Sequence, residues 1–443
     1  MRKIDASALI DGARFNAFHA RVLFWCALII IFDGYDLVIY GVVLPSLMAE
    51  WDLTALQAGA LGSCALVGMM LGALFFGSLS DRIGRRKTIM MCVLLFSGVT
   101  ALNGFASTPE TFALCRFIAG LGIGGVMPNV VALMNEYAPR KSRSTLVAIM
   151  FSGYSLGGML SAGLGMIFIP LWGWQAVFYV ALIPLLLTPL LIKQLPESMD
   201  FLLRSGQLER ARLLLAKATP AYAPEPDDLL IHNVSQGTKA SMGELFRDGR
   251  TISTLALWVA FFCCLLMVYA LSSWLPKIMS SAGYGLNSSL AFLFVLNTGA
   301  IVGAIGGGWL GDRVGIAKVL LFFFACGALS LSLLAVKAPL MMLYLLIAIA
   351  GLHNRHSDSG ERLRRSILPA TCPFHRFGVG DGDRPHRGNH RARALRCITR
   401  IKLATAGQFP GICRSGRHWC SGYPDISQAS NGTVARRNPA TTQ

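Results

Sequence analysis

Three ionisable residues interrupt stretches that are otherwise apolar. Asp33 and Asp36 break a run at about 22–48, and Arg116 breaks another at about 111–137. Acids three apart share one face of a helix. A guanidinium beside them can neutralise one acid, or hold an incoming carboxylate when that acid takes up a proton. Burial and a neighbouring Arg act in opposite directions on a carboxyl's proton affinity, so such a site can bind a proton reversibly. Charges inside apolar helices are costly, and are usually paired and functional. The plainer alternative is a static buried ion pair that fixes packing. Nothing points to nucleophilic catalysis, and there is no phosphate-binding Walker sequence. An enzyme and ATP-driven work are both disfavoured.

A second pattern occurs twice. Gly77-Ser-Leu-Ser-Asp81-Arg82-Ile-Gly84-Arg85-Arg86 is echoed 231 residues later by Gly308-Trp-Leu-Gly-Asp312-Arg313-Val-Gly315. The glycines of this G-x-x-x-D-R-x-G pattern permit close helix approach and a tight turn. Asp81 is suited to face the positive end of a helix in the other half. Its basic neighbours are suited to stay on one side of a membrane. A plain basic loop would need no recurrence, so a conformational role is favoured.

The elements that hold these residues are written in the composition. Of 443 residues 54% are apolar and 14% charged, and the mean hydropathy is +0.54. Soluble domains carry about a quarter of their residues as charges. A bilayer span needs about 20 mostly apolar residues. Such runs lie at about 22–48, 55–80, 88–107, 111–137, 145–170, 174–193, 251–275, 286–310 and 317–336, with a tenth starting near 339 and stopping at 351. No short apolar stretch with an Ala-x-Ala cleavage site opens the chain, so the first run reads as a retained span. With the N-terminus inside and spans alternating, inner segments collect 21 Lys and Arg and outer ones two. That asymmetry orients the N-terminus toward the cytoplasm. The chain divides into a cytoplasmic N-terminal segment (1–21), a six-helix half (22–193), a cytoplasmic connector (194–250), a partial second half (251–351) and a tail (352–443). The connector carries one amphipathic piece around Phe201–Leu215. At 1.5 Å per residue, Asp36 and Arg116 both fall roughly 9 Å from the outer edge, close enough in depth to meet.

Other strings dissolve in this context. Gly120-Leu-Gly122-Ile-Gly124-Gly125 contains G-x-G-x-x-G, but a dinucleotide site needs a strand before it. Inside an apolar helix the same residues let helices pack closely. The Gly153-x-x-x-Gly157-Gly158 group reads alike. No cofactor is expected, and no metal site. For a flat apolar ligand, Tyr35, Tyr40, Tyr269 and Trp274 offer stacking surfaces and Asn297 a hydrogen-bond donor.

The duplicated loop, Asp33-Gly-Tyr-Asp36, the run from Arg116 to Pro139, Leu195-Pro-Glu-Ser198 and Tyr269-Ala-Leu-Ser-Ser-Trp-Leu-Pro276 together resemble the major facilitator superfamily. Within it they resemble the aromatic acid:proton symporters, whose members import benzoate, hydroxybenzoates, protocatechuate and related acids. The stretch from Met1 to Tyr40 looks most similar to the benzoate transporters. The resemblance implies an all-α polytopic membrane protein of two six-helix halves, the second cut short here with about nine to ten spans present. It implies uptake of an aromatic carboxylate by alternating access, with the proton gradient as energy source. Asp33, Asp36 and Arg116 would couple protons and substrate. Tyr35, Tyr40, Tyr269, Trp274 and Asn297 would line the cavity. The two loop motifs would stabilise one access state. The expected partners are a small aromatic acid, protons and the lipid of the plasma membrane; no nucleic acid is expected, and a monomer is.

The tail reads differently. Residues 352–443 hold 16 Lys and Arg against five Asp and Glu, and no run long enough to span. His386 and His390 lack the Glu of a metalloprotease helix, and the Cys residues form no C-x-x-C. With synonymous codons chosen freely and each read from its second base, residues Asn354–Arg364 and Pro373–Ala392 make available a string resembling spans ten to eleven of the same family. That string includes the family's intramembrane Arg, which would fall across the codons of Pro385 and His386. A frameshifted C-terminus, expected to stay disordered, accounts for the change. The rival to a working symporter is therefore a non-transporting, truncated remnant of one.

Overall fold

A computed structural model of the chain describes residues 3–225, 228–231, 251–314, 316–334 and 339–353. Gly315 and nearly all of the tail, with the frameshift and disorder expected of it, lie outside the described residues.

A short strand β1 (Lys3–Asp5) and helix α1 (Ala6–Gly12) precede the long α2 (Ala17–Glu50). Then follow α3 (Ala55–Ile83), α4 (Arg85–Asn103), α5 (Pro109–Tyr137), α6 (Arg143–Trp172), α7 (Gln175–Tyr179) and α8 (Leu182–Gln194). The connector forms α9 (Met199–Arg204), α10 (Leu208–Ala218) and β2 (Leu229–Ile231). The second half contributes α11 (Thr251–Ser281), α12 (Leu286–Val314), α13 (Ile316–Leu333) and α14 (Leu340–His353). Among the described residues, seven helical stretches are long and apolar enough to cross a membrane, α7 and α8 counting as one, and the apolar parts of α13 and α14 are shorter. With the 19-residue α4, ten elements stand at the ten positions read from hydropathy.

Local chemistry sets the ends. Asn16 caps α2, accepting from the N–H groups of Phe18 and His19, while His19 Nδ1 accepts from Asn16 N–H in return. Thr54 and Gln57 close the same reciprocal box on α3. Thr108 caps α5 with Pro109 in its first turn, where a missing N–H costs nothing. One residue, Gly84, ends α3 and starts α4 at φ 96° and ψ 153°, a backbone conformation essentially reserved for glycine.

Two expectations are corrected. The sixth run is two helices, because Pro184 cannot donate to the carbonyl of Val180 and the chain restarts there. The amphipathic piece is likewise split into α9 and α10 at Gly206, whose φ is 72°. Beside the helices of this all-α fold, one short pairing joins β1 and β2 in parallel, Lys3 with Leu229 through Asp5 with Ile231. This ties the N-terminal segment to the connector, and Asn16 Nδ2 adds a hydrogen bond to the Ala218 carbonyl at 3.0 Å. Arg143 pairs with Asp11, anchoring the same segment to the start of α6.

Glycine seams hold the bundle. A Cβ on Gly68 or Gly72 of α3 would land on the carbonyls of Phe117 or Leu121 in α5. One on Gly120 or Gly124 of α5 would land on those of Ala65 or Met69 in α3. The G-x-G-x-x-G string is thus a helix-packing surface. In the second half, Gly299 and Gly303 of α12 meet Ala348 and Leu352 of α14, and Gly351 meets Leu296. Gly68, Gly72 and Gly120 stand 231 residues before Gly299, Gly303 and Gly351, the offset of the loop motif. The repeat extends from sequence into packing.

Candidate functional site

Helix α2 carries both acids in its middle, where every residue from Asp33 to Leu44 is buried. Asp36 points between α4 and α5. Its Oδ1 accepts from Arg116 Nη1 at 2.9 Å, and its backbone carbonyl accepts from the same nitrogen at 3.3 Å. Thr100 Oγ1 of α4 donates to Asp36 Oδ2 at 2.9 Å. Both charged side chains are 2% exposed. The equal depths read from sequence thus become a contact. Arg116 is not fully satisfied, since its buried Nε has no hydrogen-bond partner. A buried pair of this kind roughly balances desolvation against attraction, and removing one partner is what costs.

Asp33, one turn away, is also buried at 1% exposure. It lies within electrostatic reach of Cys92 on α4 in the first half and of Tyr269 on α11 in the second.

The aromatic set divides. Tyr35 is buried and donates its hydroxyl to the Val177 carbonyl at 2.7 Å; Tyr40 is buried and donates to that of Ala58. Both belong to a core cluster with Phe112, Trp174 and Phe178, inside the first half. Tyr269, Trp274 and Asn297 lie where the halves meet. Trp274 packs on that cluster, and Tyr269 packs on the larger core cluster of the first half. Asn297 rests against Gly158 of α6 and donates Nδ2 to the Leu293 carbonyl at 2.9 Å. The halves close on each other mainly through Val38, Val42 and Ala162 against Leu275, Leu290 and Leu293, toward the end away from the loop motif.

At the motif end, Gly77 falls near the close of α3, Asp81 and Arg82 are exposed, and Gly84 is buried against the Glu197 carboxylate. Arg85 pairs with Glu136 at the foot of α5 at 2.7 Å. Arg86 donates its backbone N–H to Glu197 Oε1 at 3.0 Å and its guanidinium to the Ile192 carbonyl. Glu136 also accepts from Ser198 Oγ and, at 2.7 Å, from Asp200 N–H. The motif is therefore stapled to the connector through two acids, Glu136 and Glu197, to which sequence reasoning gave no role. Both stand in stretches that carried the family resemblance, Arg116–Pro139 and Leu195–Ser198. Gly308, Asp312 and Arg313 occupy the last turns of α12. Among the described residues, no group of three metal-ligating side chains converges.

The family model described as Major Facilitator Superfamily matches residues 26–354. The chain is 48% identical over 357 residues to a benzoate transport protein of Acinetobacter baylyi, covering 79% of this chain and 77% of that one. It is 32% identical to a 4-hydroxybenzoate transporter of Pseudomonas aeruginosa, with 80% of each chain covered. Among solved structures, the crystal structure of a D-xylose-proton symporter superposes with a TM-score of 0.57 at 18% identity, covering 80% of this chain and 84% of that one.

Proposed function

Because the chain belongs to the Major Facilitator Superfamily, and so is a membrane transporter and not an enzyme, we propose that it carries an aromatic carboxylate inward together with protons. Benzoate is the first substrate to test, on the strength of the 48% identical relative; hydroxybenzoates are the second. The observation that carries the reading is the buried Asp36–Arg116 pair with Thr100 on its second oxygen.

Charge conservation supplies the mechanism. In a low-dielectric interior an unpaired Arg116 is unaffordable, so Asp36 cannot simply let go. If a proton neutralises Asp36 as an aromatic carboxylate arrives, Arg116 exchanges one anion for another. The site then holds one cation and one anion before and after, and only the partner has changed. Proton and acid enter together for that reason. Asp33, within electrostatic reach of Tyr269 of the second half, connects the protonation state of α2 to how the halves meet. Tyr269 and Trp274 offer faces against which a ring can stack. Alternating access would then rock the halves about this level, with the stapled motif steadying one state. The Lys and Arg asymmetry supports a multi-pass protein of the plasma membrane with its N-terminus in the cytoplasm.

The test is uptake of labelled benzoate by the full chain in liposomes under an imposed pH gradient. Accumulation that a protonophore abolishes, and that Asp36→Asn removes, is expected. Concentrative uptake indifferent to the proton gradient would overturn the coupling. A second reading follows from the family match ending at residue 354 of 443: a chain that folds its first half without completing a transport cycle. No uptake of benzoate or 4-hydroxybenzoate under any gradient would select it.

A further inference from the structure

Helix α4 carries a polar stripe that the ion pair alone does not require. Ser97, Thr100 and Asn103 recur every third residue, and each is 0% exposed. Their spacing stacks them on one side of the helix, about 4.5 Å apart along its axis. Thr100 is bonded to Asp36. Ser97 Oγ, Asn103 Nδ2 and Asn103 Oδ1 have no hydrogen-bond partner. Buried polar atoms in native proteins are nearly always satisfied, by protein or by ordered water. Three orphaned atoms in one file therefore mark a place built to hold water.

The register says where the file leads. Helices α2 and α4 run in the same direction, since α3 returns between them. Asp36 meets Thr100 at a separation of 64 residues, and the same separation sets Ser97 level with Asp33. Asn103, at the last position of α4, lies one turn beyond Asp36. Just past it, Phe105, Ser107 and Thr108 are exposed in the turn before α5. The charged and titratable groups around the file are Asp33, Tyr35, Asp36 and Tyr40 on α2, Cys92 on α4, Arg116 on α5, Tyr269 on α11 and, at the turn, Tyr179 on α7, whose hydroxyl donates to the Gly104 carbonyl at 3.2 Å.

We infer that Asn103, Thr100 and Ser97 line a water-filled proton path that enters beside the 104–108 turn and delivers protons to Asp36 and Asp33, apart from the route the organic acid takes between the halves. The inference rests on the proton-coupled reading above. The Thr100 hydroxyl passes its proton to Asp36 Oδ2 and takes a replacement from the water that Asn103 holds, which is recharged from the turn. Each hop breaks one O–H bond and forms another, and the only net change is a neutral Asp36. Ser97 performs the same service one turn deeper, toward Asp33. Asn103 is a positioning residue; it holds water and touches neither substrate.

The experiment compares the full chain with Asn103→Leu, which keeps the branched heavy-atom skeleton, and with Thr100→Val, a near-isosteric change should the first not fold. Two transport modes are measured with labelled benzoate in liposomes. Accumulation under a pH gradient needs net proton flow, whereas exchange at equal concentrations on both sides does not. The rate at which the Asp36 carboxyl protonates after a pH jump is read from its infrared carbonyl band, assigned by its loss in Asp36→Asn. Expected is a fall of about a hundredfold in accumulation and in protonation rate, the low end for a lost proton-transfer step, with exchange far less affected. Unchanged protonation rates, or equal losses in both modes, overturn the path. If the unaltered chain accumulates nothing, the transport reading falls, and the infrared rate by itself decides the path.

Discussion

The Asp36–Arg116 pair makes a prediction that can be worked from its geometry. Both side chains are 2% exposed, and Asp36 accepts on each of its oxygens, one bond from Arg116 and one from Thr100. Asp36→Leu strands the guanidinium in the apolar interior, and Arg116→Leu strands the carboxylate. Removing one partner of a buried pair costs about 3–5 kcal/mol, equivalent to about two to nearly four powers of ten in the unfolding equilibrium. The double variant leaves no charge unpaired. A buried pair replaced by apolar residues is often close to neutral, so the double variant should recover most of the loss and keep only the stranded Thr100 hydroxyl, at about 1–3 kcal/mol. The assay is reversible unfolding of the detergent-solubilised protein for the parent, both single variants and the double variant. The double-mutant cycle then isolates the coupling between the two sites. Additive losses, with the double variant as unstable as the summed singles, would refute the claim that these groups neutralise each other. The double variant should nonetheless carry no proton-coupled uptake, since nothing is left to exchange one anion for another. Stability regained without transport is the joint signature of the mechanism.

Other expectations follow from the same structure. Gly84→Ala should cost about 1–3 kcal/mol, because φ 96° excludes an L side chain and Glu197 occupies the space; thermal denaturation checks it. Glu136→Ala removes the acceptor shared by Arg85, Ser198 and the Asp200 N–H, so the 195–204 segment should become cleavable by added protease at sites the parent protects. Gly124→Val should close off the α3–α5 seam and sharply lower the yield of monodisperse protein, and Gly303→Val should do the same to the α12–α14 seam. Asp11→Ala removes the Asp11–Arg143 pair while leaving the β1–β2 pairing in place, so protease access to the N-terminal segment should rise with little change in global unfolding.

Much of the architecture was legible because hydropathy and depth are properties of a single dimension. Run lengths placed ten span-like elements, and a rise of 1.5 Å per residue put Asp36 and Arg116 at one level. Glycine strings in apolar surroundings announced helix seams, which the structure then realised at the same 231-residue offset as the loop motif. The connector was less legible. A left-handed Gly206 and a three-residue parallel pairing across more than two hundred residues leave almost no periodic trace.

What the sequence by itself determined is the membrane class, the repeat, the family and the list of charged residues that must find partners. Which way each of those residues points was decided only by tertiary packing. The reason is physical. Direction around a helix is read from an amphipathic stripe, and α2 from Asp33 to Leu44 is buried on every side, so no stripe exists to read. Asp33 and Asp36 share a face by count, yet one is held by Arg116 and Thr100 within the first half while the other lies within electrostatic reach of Tyr269 of the second. Tyr35 and Tyr40 were expected on a cavity wall and stand instead in an aromatic core, each hydroxyl given to a backbone carbonyl. The polar file on α4 is visible in the sequence only as Ser, Thr and Asn at every third place. Its meaning depends on the acids that α2 brings level with it.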